Sequence, residues 1–281
     1  MDQDSPTSVA LPDGVGRLVL TDPDTPPRDS PRPYLHPLRT PAGRVISDVR
    51  PADHDWHLGL SLAVSNITIG ADELDTNLWG GPTWLTGTGY RQVDSNGSQR
   101  PEGADPDDLA LGWFDARGRR FLDEQRRLSV RRFGDVTVLR IDSRWRALGE
   151  RLVFGSPTTA GRPDAGYGGL FLRLDPSFDG STVTGPDGAV AEPMGTVARW
   201  LAVADGSATV ALRADEGNPV DPTWWFVRTS ETPMLCAAPF FGATWTLEAG
   251  AEASWNWQLL LADRVLTVEE IEASWGRGAS S

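Results

Sequence analysis

Three histidines, His36, His54 and His57, all fall between positions 36 and 57 of a 281-residue chain. Imidazole changes charge near neutral pH and is the commonest metal ligand, so a cluster of scarce histidines asks for a chemical reason. His54 and His57 stand three residues apart and are flanked by Asp53 and Asp55. With His36 folded over them they could ligate zinc, manganese or iron(II). Without metal, the same rings could act as general acid and base on a sugar or other polyol. A third use is purely local, each ring bonding a nearby backbone group to organise a loop.

Further groups could wall a binding site. Asn77-Leu78-Trp79-Gly80-Gly81-Pro82 reads as a tight turn presenting Trp79, and Trp84 follows closely. Aromatic faces of this kind stack on the apolar side of sugar rings. Tyr167 precedes Gly168-Gly169 at the start of an expected strand, and Arg173 on that strand could clamp a carboxylate or hydroxyl. The alternating row Arg140, Asp142, Arg144, Arg146 reads instead as a solvated, salt-bridged sheet face. Cys236, the single cysteine, lies in the apolar run MLCAAPFF and reads as a buried, inert thiol. The chain has no GxGxxG loop, Walker loop, GxSxG elbow or HExxH motif, which disfavours a nicotinamide enzyme or an NTPase. Paired-carboxylate glycoside cleavage stays open, because 39 acidic residues offer too many pairs to choose among.

The elements that must hold these groups are strands. Gly and Pro number 30 and 22, a load that favours turns and short strands over helices. Gly16–Thr21 is a first strand, followed by a proline-rich stretch to about residue 33. In 57–65, Leu58, Leu60, Leu62 and Val64 share one face and Gly59, Ser61, Ala63 and Ser65 the other. The same period of two runs through 135–147, 168–175, 197–203, 208–213 and 254–262, while the polar residues 94–110 read as a loop. Only 267–275 reads as helix, with Thr267 and Glu270 forming a capping box. The expected architecture is all-β: a large antiparallel β-sandwich, supersandwich-like, with one short C-terminal helix. It divides into a polar N-terminal segment, 1–33, one sandwich domain, 34–276, and a flexible tail, 277–281.

The net charge is −13 and every cation is arginine, which excludes a catalytic lysine and makes nucleic acid or anionic membrane unexpected partners. At long range it favours a neutral substrate such as a sugar, though a local arginine could still receive an anion. No run approaches 18 apolar residues and the N-terminus has no secretory pattern, so a cytoplasmic protein is expected, monomeric or homodimeric.

The stretch PYLHPLRTPAGRVISDVRPADHDWHLGL, followed by NLWGGPTW, resembles the uncharacterised bacterial PmoA-like proteins that carry a "methane oxygenase" label. YGGLFLRL and WWFVRTSETPMLCAAPFF extend the resemblance to about residues 30–265. A chain without a membrane span is not expected to oxidise methane as a membrane monooxygenase does. The resemblance implies a mutarotase-like sandwich working beside sugar oxidoreductases and isomerases. Its motif positions fall here on Tyr34, His36 and Arg39, on His54 and His57, and on Asn77 and Trp79. A mutarotase-like carboxylate base has no clear counterpart among Glu216, Glu231 and Glu248. The combined expectation is a carbohydrate-processing isomerase, epimerase or lyase acting on a small sugar or sugar derivative. His36, His54 and His57 are its acid–base groups or ligands of a divalent metal. Tyr34, Arg39, Asn77, Trp79, Tyr167 and Arg173 are its substrate contacts. A metal-dependent hydrolase or oxygenase and a non-catalytic carbohydrate-binding module are the alternatives.

Overall fold

The computed structural model describes residues 7–72 and 74–276. Its strands pair antiparallel and form two large sheets packed face to face, as the alternating pattern predicts. Across the front sheet run Thr7–Ala10, Gly16–Thr21, Tyr34–Leu38, Leu60–Ala63, Gly169–Arg173, Met234–Ala237, Thr223–Arg228 and Val197–Ala198. The back sheet begins with Gly188–Ala189, Thr182–Gly185, Trp200–Ala204, Thr209–Ala214 and Glu252–Ala262. It ends with Val136–Ala147, Arg120–Phe133, Leu109–Phe114 and Ser98–Pro101. A three-stranded sheet and the hairpin Thr83–Leu85/Gly89–Arg91 complete the β structure.

The inter-sheet core follows directly from the period of two. Leu60, Leu62, Leu170, Leu172, Trp225 and Val227 of the front sheet meet Leu139, Ile141, Trp255, Trp257, Leu259 and Leu261 of the back. The outward residues of Val136–Ala147 form the salt-bridged row read from the sequence: Arg140 pairs with Asp142 and Asp215, Arg144 with Glu252, and Arg146 with Asp123. The helix Val268–Gly276 starts at the expected capping box, with Thr267 N donating to Glu270 Oε2 at 2.9 Å. Ile271 and Trp275 seat it on the outer face of the back sheet. Among the described residues no helix is long and apolar enough to cross a membrane.

Three expectations change. Thr7–Ala10 is a strand paired with Gly16–Thr21, so the N-terminal segment is two strands of the front sheet rather than a loose lead. Ser98–Pro101 is an edge strand inside the expected loop 94–110; as the last strand of its sheet, it tolerates its proline. Of the two faces of 57–65, the small-residue face, which could have accepted close packing from a second sheet, does not meet it: Leu60, Leu62 and Val64 do, Leu58 packs with Val19 and Tyr34, and Ser61 and Ala63 point outward. The expected flexible tail, 277–281, lies outside the described residues.

That outward face of the front sheet carries a second apolar layer. Phe171, Phe226, Met234, Cys236 and Ala63 are capped by Trp79 and Phe241, with Trp56, Tyr167 and Trp224 packed alongside. This layer floors the candidate site.

Candidate functional site

Two loops and a hairpin bring the candidate groups over the apolar layer. The loop before Leu60 makes successive turns, His54 N donating to Pro51 O at 2.9 Å and His57 N to His54 O at 3.0 Å. Residues three apart on such turns eclipse, so the His54 and His57 rings stack, 4.5 Å apart and 13° from parallel. In the next loop Asn77 Oδ1 accepts from Trp79 N at 2.8 Å and Gly80 N at 3.0 Å. That Asx turn sets Trp79 edge-on to His57. Gly80 and Gly81 both have positive φ, and a Cβ on Gly81 would lie 2.5 Å from the Trp56 ring, so only glycine lets Trp56 close over this turn.

The result is a cavity of about 350 Å³. His54, His57, Trp56 and Trp79 line one side, with Gly80 and Pro82; Tyr90, Arg162, Tyr167, Phe226, Arg228 and Met234 line the rest. Tyr90 reaches it from the hairpin, its hydroxyl 2.8 Å from that of Tyr167 and accepting from Arg162 Nη1. Burial, and then the neighbouring Tyr90, push the Tyr167 phenol well above its ordinary value, so it stays protonated.

The two imidazoles are chemically distinct. His54 Nδ1 lies 2.7 Å from Asp53 Oδ2. Burial opposes ionisation of Asp53, but the bond to His54 and the charge of Arg173 outweigh it and hold the carboxyl below its ordinary value. An ionised carboxylate only accepts, so Asp53 holds a hydrogen on His54 Nδ1, and in the neutral ring Nε2 is the nitrogen left to accept a proton. Arg173 is buried and pairs with Asp53 at 3.2 Å, while its Nη1 stands 3.5 Å from His57 Nδ1. A guanidinium only donates, so neutral His57 carries its hydrogen on Nε2. Burial first, then the charges of His54, Arg173, Arg32 and Arg228, drive its pKa well below 6.5, and His57 is neutral at physiological pH. With both rings neutral, the cavity sets a proton acceptor, His54 Nε2, beside a hydrogen-bond donor, His57 Nε2.

Of the residues singled out from sequence, His54, His57, Trp79 and Tyr167 come together at the cavity. Arg173 sits beneath it as a positioning group. The others lie elsewhere. His36 bonds Ser47 Oγ at 3.0 Å and is not among the lining residues, so the expected cluster is a pair of histidines rather than three. Tyr34 donates to Asp22 Oδ2 at 2.9 Å, and Arg50 reaches the same oxygen, tying the N-terminal segment to the loop that carries the histidines. Arg39 closes its own hairpin on Gly43 O. Asn77 is consumed by the turn it builds. Trp84 stands behind Tyr90, edge-on, with its indole N–H on Ala160 O. Cys236 is fully buried and its thiol is pushed up to about 12, an inert core group as expected.

Among the described residues no group of three or more His, Cys, Asp and Glu side chains is placed to hold a metal ion. The three-imidazole set expected for zinc, manganese or iron(II) is not assembled, because His36 is held by Ser47 and His54 Nδ1 is engaged by Asp53. Sequence reasoning missed Trp56, Tyr90, Arg162, Phe226, Arg228 and Met234. Part of that signal was available: in TWWFVR, Trp225 and Val227 face the core, which puts Phe226 and Arg228 outward.

With this sandwich and its cavity described, the chain can be placed among known proteins. It belongs to DUF6807, a family of unknown function, which it matches over residues 12–276. No curated protein matches it. Among solved structures it is similar to Slr1438 from Synechocystis sp. PCC 6803, at 14% identity and a TM-score of 0.46, covering 93% of this chain and 97% of that one. It is also similar to polysaccharide lyase BACCELL_00875, at 9% identity and a TM-score of 0.43, covering 89% of this chain. A third is the heparan sulfate lyase HepC from Pedobacter heparinus, at 10% identity and a TM-score of 0.35, covering 90% of this chain. The chain spans only 33% and 34% of the two lyases. The expected membership of an uncharacterised family stands; the PmoA-like and mutarotase-like names find no support among these relatives.

Proposed function

We propose that the cavity binds a small sugar derivative and that His54 and His57 move a proton at a carbon next to a carbonyl group. The observation that carries this reading is that two stacked imidazoles have opposite partners, a carboxylate on His54 Nδ1 and a guanidinium facing His57 Nδ1. His54 Nε2, oriented by Asp53, takes the proton; the C–H electron pair becomes a new C=C bond, and the carbonyl π electrons move onto oxygen. His57 Nε2–H meets that oxygen as a neutral donor, so charge develops against a fixed hydrogen bond. Return of the proton to the same carbon gives an epimer, and to the neighbouring carbon an aldose–ketose isomer. Departure of a β-oxygen, protonated from the Tyr167–Tyr90 hydroxyl pair, gives an elimination. Trp79, Trp56 and Phe226 supply apolar faces for a sugar ring. The volume, at the small end of ligand pockets of about 300–1,000 Å³, suits one or two rings better than a long polymer. The donor set does not favour the metal-dependent alternative.

The test is exchange of the carbon-bound hydrogen in D2O, followed by proton NMR across aldoses, ketoses and sugar acids. The wild-type protein should wash out one hydrogen next to a carbonyl. His54→Gln should slow this by about 10²–10⁴-fold, and His57→Gln should slow it while leaving the protein folded. Sugar binding without exchange in any compound would make the cavity a non-catalytic binding site and refute the proton-transfer reading.

A further inference from the structure

In a chain with 39 acidic side chains and a net charge of −13, the cavity is lined by no carboxylate. Its charged walls are Arg162 and Arg228, and neither has a carboxylate partner among the described residues. Elsewhere guanidiniums are commonly paired, as Arg44 is with Asp205, Arg120 with Glu102 and Arg264 with Asp135. Arg162 instead lies over the rings of Tyr90, at 4.7 Å, and Trp84, at 5.8 Å, while Arg228 lies 5.7 Å from the centre of Phe226. Beyond the bond from Arg162 Nη1 to the Tyr90 hydroxyl, aromatic rings neighbour these guanidiniums and leave N–H groups without a carboxylate among the described residues. Asp53, beside the histidines, is spent on His54 and Arg173. Arg173, Arg32 and Arg228 all act on His57 as positive charges.

We infer that the ligand is a sugar acid, a uronate or aldonate, whose carboxylate is received by Arg162 and Arg228 while its ring lies against Trp79 and Phe226. This rests on the proton-transfer reading and deepens it. Removing a proton beside a carboxylate builds a second negative charge on the same group, and cations already in place offset that charge. The planar fork of arginine can receive two oxygens of either a carboxylate or a phosphate. A carboxylate is favoured because a phosphate is commonly cradled by backbone N–H groups at a helix N-terminus, and the α-helix Val268–Gly276 is packed on the opposite sheet. The expectation from net charge alone, a neutral sugar, is therefore replaced by local complementarity.

Calorimetric titration of the intact protein with D-glucuronate, D-galacturonate, D-gluconate, D-glucose and D-glucose 6-phosphate tests this. At least one sugar acid should bind 10-fold or more tightly than glucose and more tightly than the phosphate, and should weaken as salt is added. Arg228→Gln, at an exposed position outside the core, should remove most of that preference, and Arg162→Gln should do the same. Equal binding of glucose and the acids would overturn the inference while leaving the sugar site intact, and so would a preference that survives Arg228→Gln. Tighter binding of the phosphate would replace the carboxylate with a phosphate. Failure of every compound to bind would refute both the inference and the reading beneath it.

Discussion

His54 and His57 share a stack but belong to different electrostatic surroundings, one braced by a carboxylate and the other by a guanidinium. For His57 this has a measurable consequence in the unfolded equilibrium. The unfolded chain takes up a proton near pH 6.5, whereas the folded chain holds this ring neutral well below that value. Between the two values the unfolded state binds more protons, so the stability from burying neutral His57 is present above about pH 6.5 and is lost on acidification below it. Thermal melts from pH 8 to 5 should show a fall in Tm that is shallower in His57→Gln. It should not vanish, since burial also lowers the half-buried His36. An unchanged slope would mean that His57 is not held neutral. Asp53→Asn should cost about 1 kcal/mol in chemical denaturation: it removes the counter-charge of the buried Arg173, but Asp53 itself is solvent-exposed and the pair is screened.

At the scale of elements, turns do the positioning and strands supply the floor. Gly81→Ala forces a methyl group into the Trp56 ring at a positive φ, and should destabilise the protein by about 1–3 kcal/mol. It should also weaken ligand binding, through displacement of Trp56, more than its stability cost alone would. The strands with clean alternation were legible in the sequence, among them Val136–Ala147 and Glu252–Ala262. Arg120–Phe133 was not, because Glu124 and Arg126 occupy inward positions where apolar residues would announce a strand. They are tolerated because they satisfy each other and their neighbours. Glu124 accepts from Arg126 Nε at 2.7 Å, Ser143 Oγ at 2.6 Å and Trp113 Nε1 at 2.7 Å. The site divides the same way. His54 and His57 were legible as a local spacing, and Trp79 and Tyr167 as aromatics beside glycines. Arg162 and Arg228 reach the cavity only through folding, and His36, though close in sequence, is carried off by its own strand.

At the scale of the molecule, the N-terminal segment is part of the sandwich rather than an appendage. Leu18 is buried in the inter-sheet core, and Arg32 threads back to the site, its Nε donating to Ser61 Oγ at 3.1 Å and its Nη2 to Trp56 O at 3.0 Å. Leu18→Ala should therefore lower the stability of the whole protein by about 2–5 kcal/mol, within a single cooperative calorimetric transition. A second transition, or a Tm that ignores this change, would separate residues 1–33 from the rest. Net charge is likewise a property of the whole that the cavity reverses, which is why composition alone pointed to a neutral ligand.

The central claim, that two neighbouring imidazoles are fixed in opposite roles, is open to direct observation by nitrogen-15 NMR of histidine-labelled protein, with signals assigned through His→Gln variants. At about pH 6, below the ordinary imidazole value of about 6.5, His57 should be neutral with its hydrogen on Nε2, and the neutral form of His54 should carry its hydrogen on Nδ1. A doubly protonated His57 at that pH, or one carrying its hydrogen on Nδ1, would contradict the account.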